Sequence, residues 1–375
     1  MNHIGIDIAA TGVRVVELEK KLDSSGFVTI KKAAIEPFGS TSPLSEGEIT
    51  DPVTVAEAIR AALAKAGISR KSAVVGVSTN ATARLLVIPA GARDHERETL
   101  LRSRPMSLWD LLDAKTARLS WRVVDTYRDE EGSPREVLAV AAVAAETIQV
   151  IEHTLDLAQV RPAAIDLTAS ALIRALVRSA PGEDVVQTIV DVGAQHTVVV
   201  TRNGAYPRDV TTVNYGGDHI TDAIQRTMGF ASREQAEDHK RHLALPSLDD
   251  YTPTFGSLAN QGDQPLSEVE RMVTQAADDM VSAIADVIDQ DTSNHATEPT
   301  RGVLLVGGGA RLRGIRERLA ARIGRPVHLG QPWVSDRMGR QARFLEGDRR
   351  AITDLTVAVG LAMWGSVSQP STDLQ

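Results

Sequence analysis

The sequence contains no cysteine, which excludes a disulfide framework or a thiolate metal centre and fits a reducing compartment. It contains no apolar run approaching the ~18 residues that a membrane-crossing helix needs. The longest, Leu138 to Ala145, has the length of a strand. No basic segment followed by an apolar stretch precedes the first strand pattern, so no secretory signal is expected. A basic excess is missing too: 41 Lys and Arg stand against 49 Asp and Glu, and a net charge of −8 argues against general nucleic-acid binding. Gly-x-Gly-x-x-Gly, a Walker loop and Gly-x-Ser-x-Gly are all absent, which disfavours dinucleotide-binding, P-loop and serine-hydrolase families. His239 and His242 lie i,i+3 without a third ligand and read as surface histidines rather than a zinc site. These absences leave the expectation of a soluble cytoplasmic protein.

What is present is a chain of 375 residues, 42% hydrophobic, sized for two domains or a bilobed pair. Its organising stretch is Thr188 to Val200, where two β-branched runs flank Gly193-Ala194-Gln195-His196. Such runs around a small-residue turn predict a hairpin. Small residues let backbone N–H groups approach an oxyanion and form a concave nest for phosphate. Asp191, ending the first strand, suits a magnesium ion held through water, because that small cation dehydrates reluctantly.

The pattern occurs twice. Ile6-Asp7-Ile8-Ala9-Ala10-Thr11-Gly12-Val13-Arg14-Val15-Val16 overlays it without gaps, with Asp7 on Asp191, Ala10 on Ala194 and Val15-Val16 on Val199-Val200. A repeat spaced by half the chain implies two similar halves, each with a carboxylate-bearing, phosphate-facing hairpin. Residues 4–77 read as three strands, a helix and a strand. The expected division is a first-lobe core over 1–80, a small inserted α+β subdomain over 81–165, and a connecting helix and linker over 166–185. A second lobe over 186–365 carries a helical insert at about 218–300, and 366–375 is a disordered tail. Within these, Arg93–Leu112, Thr168–Arg178, Ser267–Gln290 and Leu312–Ile323 are predicted helices. Turns are predicted at Ser24–Gly26 and Asn203-Gly204, a linker at Pro181–Asp184 and a loop at 246–265.

Three further stretches carry chemistry or its bland counterpart. Val303-Leu304-Leu305-Val306 runs into Gly307-Gly308-Gly309-Ala310, and in α/β sheets ligands bind beyond the carboxyl ends of strands. Glu237 and Lys240 stand one helical turn apart, which on spacing alone is an i,i+3 ion pair. Arg316, Glu317 and Arg318 alternate in sign and read as a solvated helix face.

Together the two Asp hairpins, Gly216-Gly217 before a helix, Ala236-Glu237-x-x-Lys240 and Gly307–Ala310 resemble the actin/sugar-kinase/heat-shock ATPase superfamily. Within it, the chain is similar to the PilM family of type IV pilus assembly proteins, relatives of the cell-division protein FtsA. The stretches that carry this are Ile4–Asp7 with Val15–Leu18, Ala164–Asp166 before Ala171–Leu176, and Val357–Ala362. The resemblance implies a bilobed actin-like (ribonuclease H-like, duplicated) α/β fold with a small inserted subdomain. By that resemblance Ala9, Ala10, Thr11, Gly12, Gly193, Ala194, Gln195, His196 and Thr197 cradle the phosphates of ATP, with Gly216 and Gly217 in the same set. Asp7 and Asp191 position Mg2+, Glu237 and Lys240 reach the ribose, and Gly307, Gly308, Gly309 and Ala310 back the adenosine. Ala9 stands where Gly is common, and Gln195-His196 replace small hydroxyl residues, so His196 either crowds or contacts the γ-phosphate.

The resemblance further implies docking of the cytoplasmic N-terminus of a PilN-like bitopic membrane protein, with residues 80–165 the candidate region. That places the protein on the inner face of the cytoplasmic membrane through its partner. Residues 98–109 lack the acidic-aromatic Pro-Phe pattern expected there. The polar Ser366–Gln375 lacks the amphipathic helix of FtsA itself. No evident water-activating base accompanies the site, Asp166 being the one candidate, so ATP binding with slow or absent hydrolysis is expected. The alternatives are an ATPase or small-molecule kinase on the same fold and an FtsA/MreB-like filament formed by self-association.

Overall fold

The computed structural model describes residues 4–19, 27–39, 41–69, 72–103, 112–177, 186–246, 267–294, 301–335, 338–339, 342 and 352–365. The turn at Ser24–Gly26, the linker at Pro181–Asp184, residues 104–109 and 247–265 and the tail 366–375 lie outside the described residues. By packing, the chain forms two units: 1–187 with 200–211 and 331–375, and 188–199 with 212–330.

In chain order the first unit begins with β1 (Ile4–Ala9), β2 (Gly12–Leu18) and β3 (Ile30–Pro37), followed by the short pair β4 (Leu44–Ser45) and β5 (Glu48–Ile49). Helix α1 (Pro52–Lys65) follows, then β6 (Ser72–Val77), β7 (Ala81–Pro89), α2 (Asp94–Ser103), β8 (Arg118–Arg128), β9 (Pro134–Val143), α3 (Ala145–Ala158), β10 (Arg161–Leu167) and α4 (Thr168–Leu176). The second half carries β11 (Val186–Val192), β12 (Thr197–Asn203), β13 (Tyr206–Val213), α5 (Gly217–Met228), α6 (Arg233–His242), α7 (Glu268–Asn294), β14 (Val303–Val306), α8 (Ile315–Ile323), β15 (Val327–Leu329) and α9 (Thr356–Ala362).

The first sheet has the order β10-β6-β1-β2-β3, with β1 antiparallel to β2 and parallel to β6. Its central strand Ile4-Gly5-Ile6-Asp7 is buried throughout, as a near-continuous apolar run between two covered faces should be. Helix α1 starts where Asp51 accepts hydrogen bonds from the N–H groups of Val53 and Thr54, both at 3.1 Å, with Pro52 at the first position. It buries Val55, Ala56, Ile59, Ala62 and Leu63 along one face. The second sheet repeats the plan strand for strand: β15-β14-β11-β12-β13, with β14 parallel to β11 and β15 parallel to β14. The internal repeat read from the two Asp hairpins is therefore a repeat of topology.

Beyond β13 the order continues β7-β9-β8, an antiparallel ribbon whose Leu86, Ile88, Leu138 and Val140 enclose Leu101 of α2. The expected inserted element over 81–165 divides at this point. Residues 81–143 form the ribbon and its helix, whereas α3 packs on α1 and β10 pairs in parallel with β6, inside the first sheet. The boundary at 165 is corrected because a parallel partner for β6 must come from a distant crossover, which sequence spacing does not reveal.

A second correction concerns the end of the chain, expected in the second lobe over 186–365. Helix α9 belongs to the first unit, packed on β1 and α4. Gly5 and Gly360 allow that contact: a Cβ on Gly5 would land on the Ala358 carbonyl oxygen, and one on Gly360 on the Ala171 carbonyl oxygen. The segment before α9 also returns there, with Trp333 donating its backbone N–H to Ala175 O and its indole N–H to Leu176 O, both at 2.9 Å. The predicted helix Leu312–Ile323 begins only at Ile315, as α8 after Gly314, and the preceding Gly308–Arg311 forms a 3-10 turn. Arg318, read as solvated, is 4% exposed and donates to Asp278 Oδ1 at 2.7 Å and Pro246 O at 2.9 Å. Among the described residues no helix is long and apolar enough to cross a membrane.

Candidate functional site

The second unit brings together most of the residues that the sequence singled out. The turn Gly193–His196 joins β11 to β12 and closes through Gly193 N–H donating to His196 O at 3.0 Å. The start of α5 is fastened to it: Gly217 N–H donates to Gly193 O at 2.9 Å and Asp218 N–H to Ala194 O at 2.8 Å. Gly216 N–H goes to His219 Nδ1 at 3.2 Å, and the Thr197 hydroxyl donates to Tyr215 O at 2.7 Å. Gly216 must be glycine, since a Cβ there would lie 2.7 Å from the Ala194 carbonyl carbon. Gly216 and Gly217 thus hold the turn in shape, with their own N–H groups already bonded inside the unit.

On the other side of β11, β14 pairs Val306 with Asp191, and the glycine run follows. Gly307, with φ 86° and ψ 171°, passes so close to Asp191 Oδ1 and Val192 O that a side chain there has no room. Gly309 packs on Val192, Ala310 is buried, and Gly308 faces open space. The Asp191 carboxylate, the Gly193–Thr197 turn and the Gly307–Ala310 loop are therefore consecutive parts of one surface at the carboxyl ends of β11 and β14. A ligand is expected at such strand ends.

Glu237 and Lys240 join this surface through α5. Lys240 Nζ lies 2.7 Å from Glu237 Oε2, and it donates to Thr221 Oγ1 at 2.7 Å and to Gly217 O at 3.0 Å. The Thr221 hydroxyl reaches Glu237 Oε2 at 2.8 Å. An ammonium has three protons, and here each has an oxygen within the unit. Lys240 therefore clamps the start of α5. Thr221 was missed in the sequence, although its place one helical turn after Gly217 was a usable signal.

Burial raises the Glu237 pKa, but the charge of Lys240 and the hydrogen bonds from Lys240 and Thr221 outweigh it and hold the carboxyl below its ordinary 4.5. A carboxylate depressed in this way stabilises the fold above its unfolded pKa, and the contribution is lost as pH falls through the folded one. The expected outcome is an acid limb in thermal stability beginning below pH 4.5 that Glu237→Gln flattens, as read by Tm against pH.

The first unit holds the other hairpin. Ala9 pairs with Gly12 around the two-residue turn Ala10-Thr11, whose carbonyls accept from Ser42 Oγ at 2.8 Å and Phe38 N at 3.2 Å. Arg14, opposite Asp7 in the register, spans the hairpin. Its Nη2 donates to Thr11 Oγ1 at 2.9 Å and its Nη1 to Gly12 O at 3.2 Å, with Nη1 4.0 Å from Asp7 Oδ2. Burial pushes the Asp7 pKa up and Arg14 pulls it back. Asp7 thus has a resident counter-charge, a feature readable only once the hairpin register is known.

Asp166 does not fit the role of a water-contacting acid. It is fully buried, its Oδ2 is held by Arg174 Nη2, and its Oδ1 accepts from Leu167 N at 2.9 Å. The expectation is corrected: burial between β10 and α4 makes this carboxylate half of a core ion pair. Among the described residues no three His, Cys, Asp or Glu side chains cluster to hold a metal.

A sequence model of type IV pilus assembly protein PilM matches residues 5–366. The chain belongs to this family. The solved chain of a PilM-PilN type IV pilus biogenesis complex is similar at 20% identity and a TM-score of 0.74, with 98% of this chain and 99% of that one covered. The ethanolamine utilization protein EutJ from Carboxydothermus hydrogenoformans matches at 13% identity and a TM-score of 0.53, covering 96% of this chain and 89% of that one. At such identities the shared property is the fold, the actin-like α/β architecture that the sequence led us to expect. The family match spans both Asp hairpins, the Glu237/Lys240 clamp and the glycine run.

Proposed function

We propose that this protein is a nucleotide-binding scaffold of a type IV pilus assembly machine that docks the N-terminal segment of a PilN-like membrane partner. The observation that carries the reading is the family match over residues 5–366. The PilM relative of similar fold was solved as a complex with PilN, which supports a partner of that kind. The ribbon β7-β9-β8 with α2, inside residues 80–165, is the proposed docking region, and the partner would hold the protein at the inner face of the membrane.

ATP is the proposed ligand of the second unit. The backbone turn Gly193–Thr197 takes the phosphates, Gly307–Ala310 backs the adenosine, and Asp191 positions Mg2+ through water. Glu237 reaches toward the ribose from α6, while Lys240 anchors that helix to Gly217 and Thr221. The turn Ala9–Gly12 with Asp7 and Arg14 is the matching phosphate element of the first unit. Asp166 is sealed in a core ion pair with Arg174, and the nucleotide is proposed to act as a conformational ligand with slow or absent turnover. Such a ligand shifts a partner's affinity only through its different affinity for two states.

The test is a calorimetric titration of ATP with Mg2+ into the full chain and into Asp191→Ala, with phosphate release followed in the same samples. Saturable binding lost in the variant, with little phosphate released, is the expected result. The N-terminal peptide of the membrane partner should then bind with an affinity that depends on ATP. No binding at millimolar ATP would overturn the nucleotide half of the reading and leave an adaptor.

A further inference from the structure

The ribbon β7-β9-β8 is joined to its surroundings by a narrow neck and by one edge. At the neck, where the chain enters β7 and leaves β9, Ala144 N–H donates to Asn80 O at 2.9 Å. The edge is β7 against β13. All of β7, Ala81–Pro89, pairs with β9, whereas toward β13 the described residues show one backbone pair, Arg84 with Asp209. Side chains reinforce it. Arg84 and Asp209 form an ion pair across the edge, and the Thr211 hydroxyl donates to Asp209 Oδ2 at 3.1 Å. From β8, Arg122 acts on the Tyr206 phenol of β13: burial pushes the phenol pKa up, and the guanidinium's charge and hydrogen bond draw it back.

The strand so fastened leads to the candidate site. β13 is the neighbour of β12, and packing divides this hairpin crosswise. Its tip, 200–211, counts with the unit that holds the ribbon, and its other end, 188–199 and 212 onward, with the second unit. At that other end the Thr197 hydroxyl of β12 donates to Tyr215 O, just beyond β13 and beside Gly216-Gly217. Asp209 and Tyr215 are separated by no more than about 20 Å of extended chain. We propose that the β12–β13 hairpin transmits occupancy of the nucleotide site to the ribbon, with the Arg84–Asp209 pair as the latch that makes the ribbon follow. The inference rests on the reading of the second unit as a nucleotide site and deepens it by naming a route of regulation. A paired hairpin is stiff along its length, so a shift at Thr197 and Tyr215 reaches its tip. Beyond the tip the ribbon follows only as far as it is fastened, and with one backbone pair the side-chain latch decides. Arg84 and Asp209 are 22% and 28% exposed, so the pair adds little to stability, as accessible ion pairs do. Its place in the fold, more than its strength, suits it to coupling.

Hydrogen exchange of the full chain, with and without ATP and Mg2+, tests this. In the parent, nucleotide should slow exchange around Gly193–Gly217 and also in the β7 and β9 amides of the ribbon, the latter by about fivefold or more. Arg84→Met should keep the first change and reduce the second to below about twofold. Its ATP affinity by calorimetry should stay within about threefold of the parent, and its ligand-free Tm within about 3 °C. Arg84→Glu should behave likewise, and adding Asp209→Arg to it should restore the response of the ribbon. A ribbon that responds as fully in Arg84→Met, or a reversed pair that restores nothing, would overturn the proposal and leave the nucleotide site standing. So would a parent that binds ATP without any response in the ribbon. A parent that binds no ATP would overturn instead the reading on which the proposal depends.

Discussion

Replacing Arg174 by Met is expected to destabilise the first unit by about 3–5 kcal/mol, the usual cost of stripping one partner from a buried ion pair. Arg174 is 7% exposed and Asp166 fully buried, so the carboxylate left behind has no access to water. The same guanidinium donates from Nε to Gly360 O at 3.0 Å, so its loss also releases a carbonyl of α9. Urea denaturation should show the drop as a lower midpoint at unchanged slope. The double variant Asp166→Asn with Arg174→Met should recover a large part of it, because two neutral side chains leave no uncompensated charge. A drop below about 1 kcal/mol would show that water reaches Asp166 and would restore it as a candidate for contact with an attacking water.

The second large effect is expected at Gly307→Ala. Its φ of 86° with ψ of 171° lies in a region open essentially to glycine alone, at a cost of about 1–3 kcal/mol for any other residue. The added methyl would also land on Asp191 Oδ1 and sit 2.5 Å from Val192 O. The loop must then move away from the end of β11, or Asp191 must turn aside. Either change disrupts the arrangement proposed to position Mg2+, so ATP binding should become undetectable at millimolar concentration. Gly308→Ala is the control, because nothing lies within 4 Å of a Cβ there. It should bind ATP as the parent does. Equal binding by both variants would remove the Gly307–Asp191 contact from the account of the site.

In the first unit the close contacts at Gly5 and Gly360 let α9 pack onto β1 and α4, and the Arg174 guanidinium ties α4 both to Asp166 of β10 and to the Gly360 carbonyl of α9. In the second, Gly216 and Gly307 let α5 and the β14 loop approach the end of β11.

Much of this was legible in the amino-acid order. The two hairpins, Asp7 and Asp191 at matching places, the turn at Asn203-Gly204 and the glycine run after β14 follow from strand period and turn chemistry. Each of those is imposed by neighbours in the chain, so each leaves a local signature. The duplicated topology followed from the repeat. Other features have no local signature. That β10 lies beside β6, that α9 returns to β1, and that Arg318 is buried against Asp278 depend on which distant surfaces meet. The same holds for the site. Glu237 and Lys240 looked like a surface pair by spacing, and only packing of α6 on α5 showed Lys240 saturated by Thr221 and Gly217. Asp166 looked like a free acid until β10 and α4 closed around it. The sequence by itself determined the backbone turns and the carboxylate at each hairpin, because hairpin geometry is decided within a few residues. Only the tertiary structure decided which polar atoms are already paired and which, like His196 Nδ1, have no partner among the described residues, because pairing is a property of what folding brings together.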